Sequence, residues 1–297
     1  MTPGARTQAA IDLVDVIAEA ARSGGAAADT LIARWFATRR YAGSKDRRAV
    51  RELVYAAIRR AGEVPANGRT ALVALADDDA TVAASFDGSN YGPAPIVADE
   101  PRASAGVAPR WLEQALIDSG LAADALPALV GRAPLDLRVN TLKATRDEVL
   151  GELPDAAPID ATPDGVRLPT GTAVEALPAF NRGLVEVQDA GSQIVGLALP
   201  VTLGARIVDL CAGAGGKTLA LAARMGGEGM LLACDTDRNR LQRLAPRATR
   251  AGAGNVETRL LNPGRELESL PDWIGTADGV LVDAPCSGTG TWRRNPE

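Results

Sequence analysis

Arg206-Ile-Val-Asp-Leu-Cys-Ala-Gly-Ala-Gly-Gly-Lys-Thr218 is the stretch that decides the fold. Ile207 and Val208 read as a buried strand running to Leu210, residues 211 to 218 (CAGAGGKT) as a glycine-rich turn, and Leu219 to Met225 as a helix. A glycine turn between a strand and a helix lets a ligand approach the backbone closely and meet the positive end of the helix. Downstream the alternation repeats. Met230-Leu-Leu-Ala-Cys-Asp235 is a second strand, a helix falls near 237–252, Val256 to Leu261 is a third strand and Gly279-Val-Leu-Val-Asp283 a fourth. This spacing predicts a parallel, doubly wound sheet, four strands of which precede Asn295-Pro296-Glu297.

Spacing also narrows the ligand of the turn. The dinucleotide fingerprint G-x-G-x-x-G places a third small residue where this chain has Thr218, which argues against hydride transfer. The phosphate loop G-x-x-x-x-G-K-[ST] comes closer: Gly216, Lys217 and Thr218 fit, Cys211 replaces the first glycine, and Asp283 could stand in for a Mg²⁺-holding acid. Asp235, at the end of the second strand, points elsewhere, because a carboxylate there can accept two hydrogen bonds from a ribose diol and a phosphate site needs none. Its bland alternative is a cap for the helix that begins near Asp237. Asp209, Asp235, Asn262 and Asp283 all fall at or just past strand C-terminal ends, and together they favour a nucleoside pocket. The fourth strand leads into Asp283-Ala-Pro-Cys-Ser-Gly-Thr-Gly290, where Cys286 is a candidate nucleophile or base. Cys234, inside an apolar strand, reads as core, and Cys211 as packing at the start of the turn.

Composition excludes whole classes of chemistry. The 297 residues include no histidine and only 3 cysteines, too widely spaced for a paired metal motif, which argues against a zinc site and removes the Ser-His-Asp and Cys-His schemes. A disulfide framework, a membrane span and a secretory signal are absent from the pattern, which gives the expectation of a soluble cytoplasmic protein with no metal and no membrane partner. The net charge of −5 is uneven: residues 1 to 60 carry 11 Lys/Arg against 6 Asp/Glu. Nine of those basic residues lie between 34 and 60, a candidate phosphate-contacting surface whose bland reading is a solvated helix face.

At the N-terminal end, helical spacing places Ile11, Val14, Ile17 and Ala21 on one helix and Leu31, Ile32, Trp35 and Phe36 on a second. Ser44 is the expected cap of a third, with Val50, Leu53, Val54, Ala57 and Ile58 inward. Residues 78 to 109, rich in Gly, Pro, Ser and Asp without periodicity, read as a linker or long surface loop. A helix from Trp111 to Ser119, strands at Leu135 to Val139, Gly165 to Leu168 and Gly183 to Val187, a helix over Thr145 to Leu150 and another over Ser192 to Leu199 follow. The expected division is a helical domain with linker at 1–100, a small α+β module at 101–190, and the parallel sheet at 191–297.

Five ordered blocks resemble the RsmB-type RNA (cytosine-5) methyltransferases, which use S-adenosylmethionine. They are Leu137-Arg-Val-Asn-Thr-Leu-Lys143, Val187-Gln-Asp-Ala-Gly-Ser-Gln193, Asp209-Leu-Cys-Ala-Gly-Ala-Gly-Gly-Lys-Thr218, Cys234-Asp-Thr-Asp-Arg-Asn-Arg240, and Asp283 to Gly290 with Arg293-Arg-Asn-Pro296. Residues 5 to 60, with Asp46-Arg-Arg and Val54-Tyr-Ala-Ala-Ile-Arg59, more loosely resemble the NusB-like RNA-binding domain of bacterial members.

The resemblance implies a class I, Rossmann-like methyltransferase sheet, incomplete here, preceded by an RRM-like α+β module and an all-α NusB-like domain. It implies that Cys211, Ala212, Gly213, Ala214, Gly215, Gly216 and Lys217 wrap the methionine end of S-adenosylmethionine, with Arg240 close by. Asp235 then holds the ribose, and Asn262, where the family often has Asp, lies beside the adenine. Lys217 and Asp283 are implied near the target base or the transferred methyl group, and Cys286 in product release. C5 of cytosine becomes nucleophilic only after a thiolate adds at C6, and in the family that thiolate comes from a Thr-Cys block beyond the fifth strand. The sequence departs from the pattern by ending before that block, so as written the chain is expected to be inactive, with weakened cofactor binding and its fourth strand uncovered. The expected partner is small-subunit (16S) ribosomal RNA, met by a monomer. Two alternatives stand beside this reading, a P-loop-like NTPase and a non-catalytic NusB-type RNA-binding protein.

Overall fold

The computed structural model describes residues 1–286 and 288–293. The chain forms two compact units, Met1–Ala133 with the described part of the C-terminal segment, and Pro134–Cys286. The expected boundary at residue 100 therefore falls inside the first unit.

The first unit is helical. Helix α1 (Pro3–Ser23) starts with Thr2 capping the Ala5 amide and Pro3 in its first turn, and stops at Gly24 in the left-handed conformation. Its inward face, Ala10, Leu13, Val14 and Ile17, packs with Ile32 and Phe36 of α2 (Ala28–Ala37) and Val50, Val54 and Ala57 of α3 (Ser44–Arg60). Ser44 is not the cap of α3: Gly43 holds that position and makes no side-chain bond, so Ser44 is the first helical residue. Helix α4 (Gly68–Ala76) leaves no amphipathic signature, because its Ala71-Leu-Val-Ala-Leu75 run is apolar on every side and shows no helical period. Asn67 and Thr70 form a capping box at its start, and Gly68 lies so close to α1 that a Cβ there would stand 2.0 Å from the Ile11 carbonyl oxygen.

The 78–109 stretch is not a free linker. It contains α5 (Ala80–Ala84), and it inserts Val82 and Phe86 into the helical core. Arg69 pairs with Glu100 and stacks over the Phe86 ring. Backbone bonds run from Ala103 to Thr70, from Gly62 to Ser104 and from Gly106 to Arg60. These bonds draw the segment up to α6 (Arg110–Asp118) into the first unit.

The second unit holds two sheets. Strands β1 (Leu135–Val139), β2 (Ala157–Pro158), β3 (Gly165–Leu168) and β4 (Val185–Val187) form an antiparallel sheet in the order β2-β3-β1-β4. Helix α7 (Arg146–Glu152), opened by a Thr145–Glu148 capping box, buries Val149 against Leu137, Val139 and Val166, and the short α8 (Pro178–Asn181) leads into β4. Helix α9 (Ala190–Leu197), capped by Asp189, then leads to β5 (Arg206–Asp209), α10 (Gly216–Arg224) and β6 (Met230–Asp235). The helix read at 237–252 is two helices, α11 (Arg238–Leu241) and α12 (Leu244–Ala251). Pro246 has no N–H to donate and sits in the first turn of α12, where none is needed. With β7 (Val256–Leu260) and β8 (Gly279–Leu281), the strands form a parallel sheet in the order β7-β6-β5-β8.

Successive residues of β5 and β6 face opposite sides of this sheet, and both sides are covered. Ile207 and Leu231 pack with Leu221, Met225 and Leu244, whereas Val208, Leu232 and Cys234 pack with Leu261, Leu270 and Trp273. Asn140 of the upstream block donates to the carbonyls of Gly183 and Ala251, and the Lys143 ammonium to those of Arg182 and Arg250. Both residues thus satisfy carbonyls in the last turn of α12, where a positive charge also suits the helix dipole. Among the described residues, no helix is long and apolar enough to cross a membrane.

Candidate active site

The loop between β5 and α10 turns on two glycines in the left-handed region, Gly213 at φ 56° and Gly215 at φ 85°. A Cβ on Gly215 would stand 2.1 Å from a methyl of the buried Leu244, so this turn demands glycine for space as well as for φ. Arg247 fastens the loop from α12 by donating to the Ala214 carbonyl at 2.6 Å, while Glu186 of β4 holds the same guanidinium and that of Arg250. Neither Arg247 nor Glu186 carried any local sequence signal.

Three carboxylates surround the loop. Asp235 is buried at the end of β6; its Oδ2 accepts from the Gly213 amide at 2.7 Å and its Oδ1 from the Asp237 amide at 2.8 Å. The helix cap is instead Asp237, which accepts from the Asn239 and Arg240 amides, so the capping explanation of Asp235 is set aside. Each oxygen of Asp235 retains a second lone pair. Asp209, only 1% exposed, accepts from the Thr218 hydroxyl, and its Oδ1 is buried with no well-aligned hydrogen bond. Burial pushes its carboxyl up to about 6, against the opposing pull of the Thr218 hydrogen bond and of Lys217. Asp283, two residues past β8 and half exposed, pairs with the Lys217 ammonium at 2.5 Å.

The other expected site residues divide. Arg240 lies beside the loop, since a Cβ on Gly213 would stand 2.9 Å from its guanidinium. Cys211 is partly buried, and desolvation, with Asp235 and Asp209 nearby, raises its thiol above the ordinary range. Cys234 is wholly buried, its thiol pushed up to about 12 by desolvation, in keeping with a core position. Cys286 is exposed just beyond Asp283. Asn262 is exposed past β7, where its carbonyl accepts from the Arg265 amide. Ser287 of the Pro-Cys block and Arg294-Asn-Pro296 lie outside the described residues.

This geometry argues against a phosphate loop. A phosphate would need the loop amides as donors, but the Gly213 amide already faces the Asp235 carboxylate, whose charge repels an anion. Asp209 and Asp283 add to that repulsion, and the Lys217 ammonium is already paired with Asp283, so the rim suits a neutral or cationic ligand better than a polyphosphate.

Comparison with known proteins agrees. A family model described as 16S rRNA methyltransferase RsmB/F matches residues 197–297. The ribosomal RNA small subunit methyltransferases B of Salmonella newport (strain SL254) and Salmonella heidelberg (strain SL476) are each 41% identical over 172 residues, 56% of this chain and 39% of the relative. The match thus spans well under half the length of these relatives. The crystal structure of PH0851 covers 100% of this chain and 77% of its own at a TM-score of 0.69 and 22% identity. A methyltransferase homolog protein from Pyrococcus horikoshii covers 62% of this chain and 66% of its own at a TM-score of 0.50 and 26% identity. NSun6 from the same organism, solved with SFG, covers 60% and 71% at a TM-score of 0.50 and 19% identity. The glycine loop with its strand-end carboxylates, and the parallel sheet that carries them, lie within the residues that match the model of the RsmB/F family of 16S rRNA methyltransferases.

Proposed function

We propose that loop 211–217 binds S-adenosylmethionine and that the chain works in methylating C5 of cytosine in small-subunit ribosomal RNA, in the cytoplasm. The observation that carries this reading is the ring of Asp209, Asp235 and Asp283 around a loop whose Gly213 amide is already held by a carboxylate. The residues fit the cofactor: Asp235 keeps lone pairs for a ribose diol, and the acidic rim suits a sulfonium cation. When bound, S-adenosylmethionine supplies an electrophilic methyl group.

The chain's own residues then have distinct tasks. Asp235 fixes the loop through Gly213 and faces the ribose. Thr218 and Asp209 hold the start of α10 against the end of β5. Lys217 orients Asp283 beside the target base, where a carboxylate can manage the proton lost from C5, and the exposed Cys286 assists release of the product. In this reading Asn262 lies beside the adenine and Arg240 beside the loop.

The activity test uses the product of the whole open reading frame with methyl-labelled cofactor and small-subunit ribosomal RNA. Digestion to nucleosides is expected to return the label in 5-methylcytidine, with Asp283→Ala lowering the rate at least a hundredfold. Label in another nucleoside, or none in RNA, would overturn the reading.

A further inference from the structure

We propose that the first unit carries a separate site that stacks an unpaired base of single-stranded RNA, formed by Trp35, Tyr41 and Tyr91 around a cavity of about 920 Å³. The inference rests on RNA being this chain's substrate class and adds where, apart from loop 211–217, a strand is gripped.

Aromatic side chains are scarce here, ten in 297 residues, and three of them line this one cavity. Tyr41 and Tyr91 are 71% and 74% exposed, so neither is spent on the helical core. Both stand on firm turns. Tyr41 precedes Ala42, which is buried and whose carbonyl accepts from the Arg47 guanidinium. Tyr91 sits in a turn closed by bonds from Gly92 to Ser89 and from Gly88 to Pro93. That turn lies against α1 so closely that a Cβ on Gly92 would stand 3.3 Å from the Gly4 Cα, and one on Gly4 2.8 Å from Asp87 Oδ1. Rings held out on rigid turns lose little entropy when a base stacks on them.

The surroundings select the ligand. A cage of tryptophan and tyrosines can also take an organic cation, but the Arg39 guanidinium lies over the Trp35 ring, 3.8 Å from its centroid, where it repels a second cation and offers its own plane for a base to stack on. Arg34 and Arg40, chain neighbours of the lining residues Trp35, Arg39 and Tyr41, are exposed and make no side-chain ion pair or hydrogen bond among the described residues. Such unneutralised cations suit the phosphates on either side of a stacked base. Gln8, with its amide on Asp12 Oδ1, and Asn90 supply polar atoms at the cavity wall for the base edge. A duplex, whose bases are already stacked, cannot use such a site.

The test is fluorescence anisotropy of the full chain with a labelled ten-nucleotide single-stranded RNA of mixed sequence, the same RNA as a duplex, and a copy in which central bases are abasic. The single strand is expected to bind at least tenfold more tightly than the duplex or abasic forms. Tyr41→Ala/Tyr91→Ala should weaken single-strand binding at least tenfold and leave the salt dependence unchanged, whereas Tyr41→Phe/Tyr91→Phe should bind within twofold of the parent. Equal binding of the three RNAs, an alanine variant within twofold of the parent, or no saturable RNA binding would each overturn the proposal. S-adenosylhomocysteine binding measured on the same samples reports on loop 211–217 alone, so failure of either site is read independently.

Discussion

The two units treat charge in opposite ways. In the helical unit the buried polar side chains are the hydroxyls of Thr7, Thr70 and Ser85, and its many arginines are spread over the surface. In the second unit Asp136, Arg138, Glu186, Asp209 and Asp235 are all buried. Burying charge costs stability unless each group is paired, so a chain keeps such groups where geometry matters more than stability. Here they position loop 211–217: Glu186 holds Arg247, Arg247 holds Ala214, and Asp235 holds Gly213. The helical unit, whose core is apolar, uses its charges outward.

This contrast is broken most severely at Glu186. Glu186→Ala leaves the Arg247 and Arg250 guanidiniums without their acid and should cost about 3–5 kcal/mol, read by urea denaturation. A loss below about 1 kcal/mol would mean that the buried charges do not hold the unit together.

Asp209 gives the next largest effect, with a defined pH window. Its folded pKa of about 6 lies above the ordinary 3.8. The folded chain thus binds this proton more tightly than the unfolded chain, so the stabilising contribution is complete below about pH 4 and lost as pH rises through about 6. Asp209→Asn cannot ionise, and should gain about 2–3 kcal/mol over the parent at neutral pH but little below about pH 4. Thermal melts of both chains across that range check this, and a gap that does not change with pH would contradict it.

Two smaller substitutions sharpen the comparison. Lys143→Met removes the ammonium from the Arg182 and Arg250 carbonyls and should cost about 1 kcal/mol in the same melts. Glu19→Ala, which breaks the exposed pair with Arg22 in the helical unit, should change stability by less than about 0.5 kcal/mol. An equal cost at the two positions would erase the distinction between the units.

What could be read in the sequence follows the range of the forces involved. Met230–Asp235 was legible to the residue because a strand covered on both faces must be apolar throughout and this one ends in an acid. The turn at 211–217 was legible because its left-handed positions and the close approach of Leu244 restrict a short run of neighbours to glycine, and Asp235 because an acid ends an apolar strand. The packing of 78–109 was not, since it depends on Arg69 meeting Glu100 and on backbone bonds that no periodicity records. The hold of Arg247 on Ala214 was hidden for the same reason, being a contact between residues far apart in sequence.

The most direct measurement is calorimetric titration of the full chain with S-adenosylhomocysteine and, separately, with ATP and Mg²⁺, repeated on Asp235→Ala. The account predicts saturable S-adenosylhomocysteine binding that Asp235→Ala weakens at least tenfold, and no heat from ATP with Mg²⁺. ATP binding in preference to S-adenosylhomocysteine, or S-adenosylhomocysteine binding indifferent to Asp235, would contradict it.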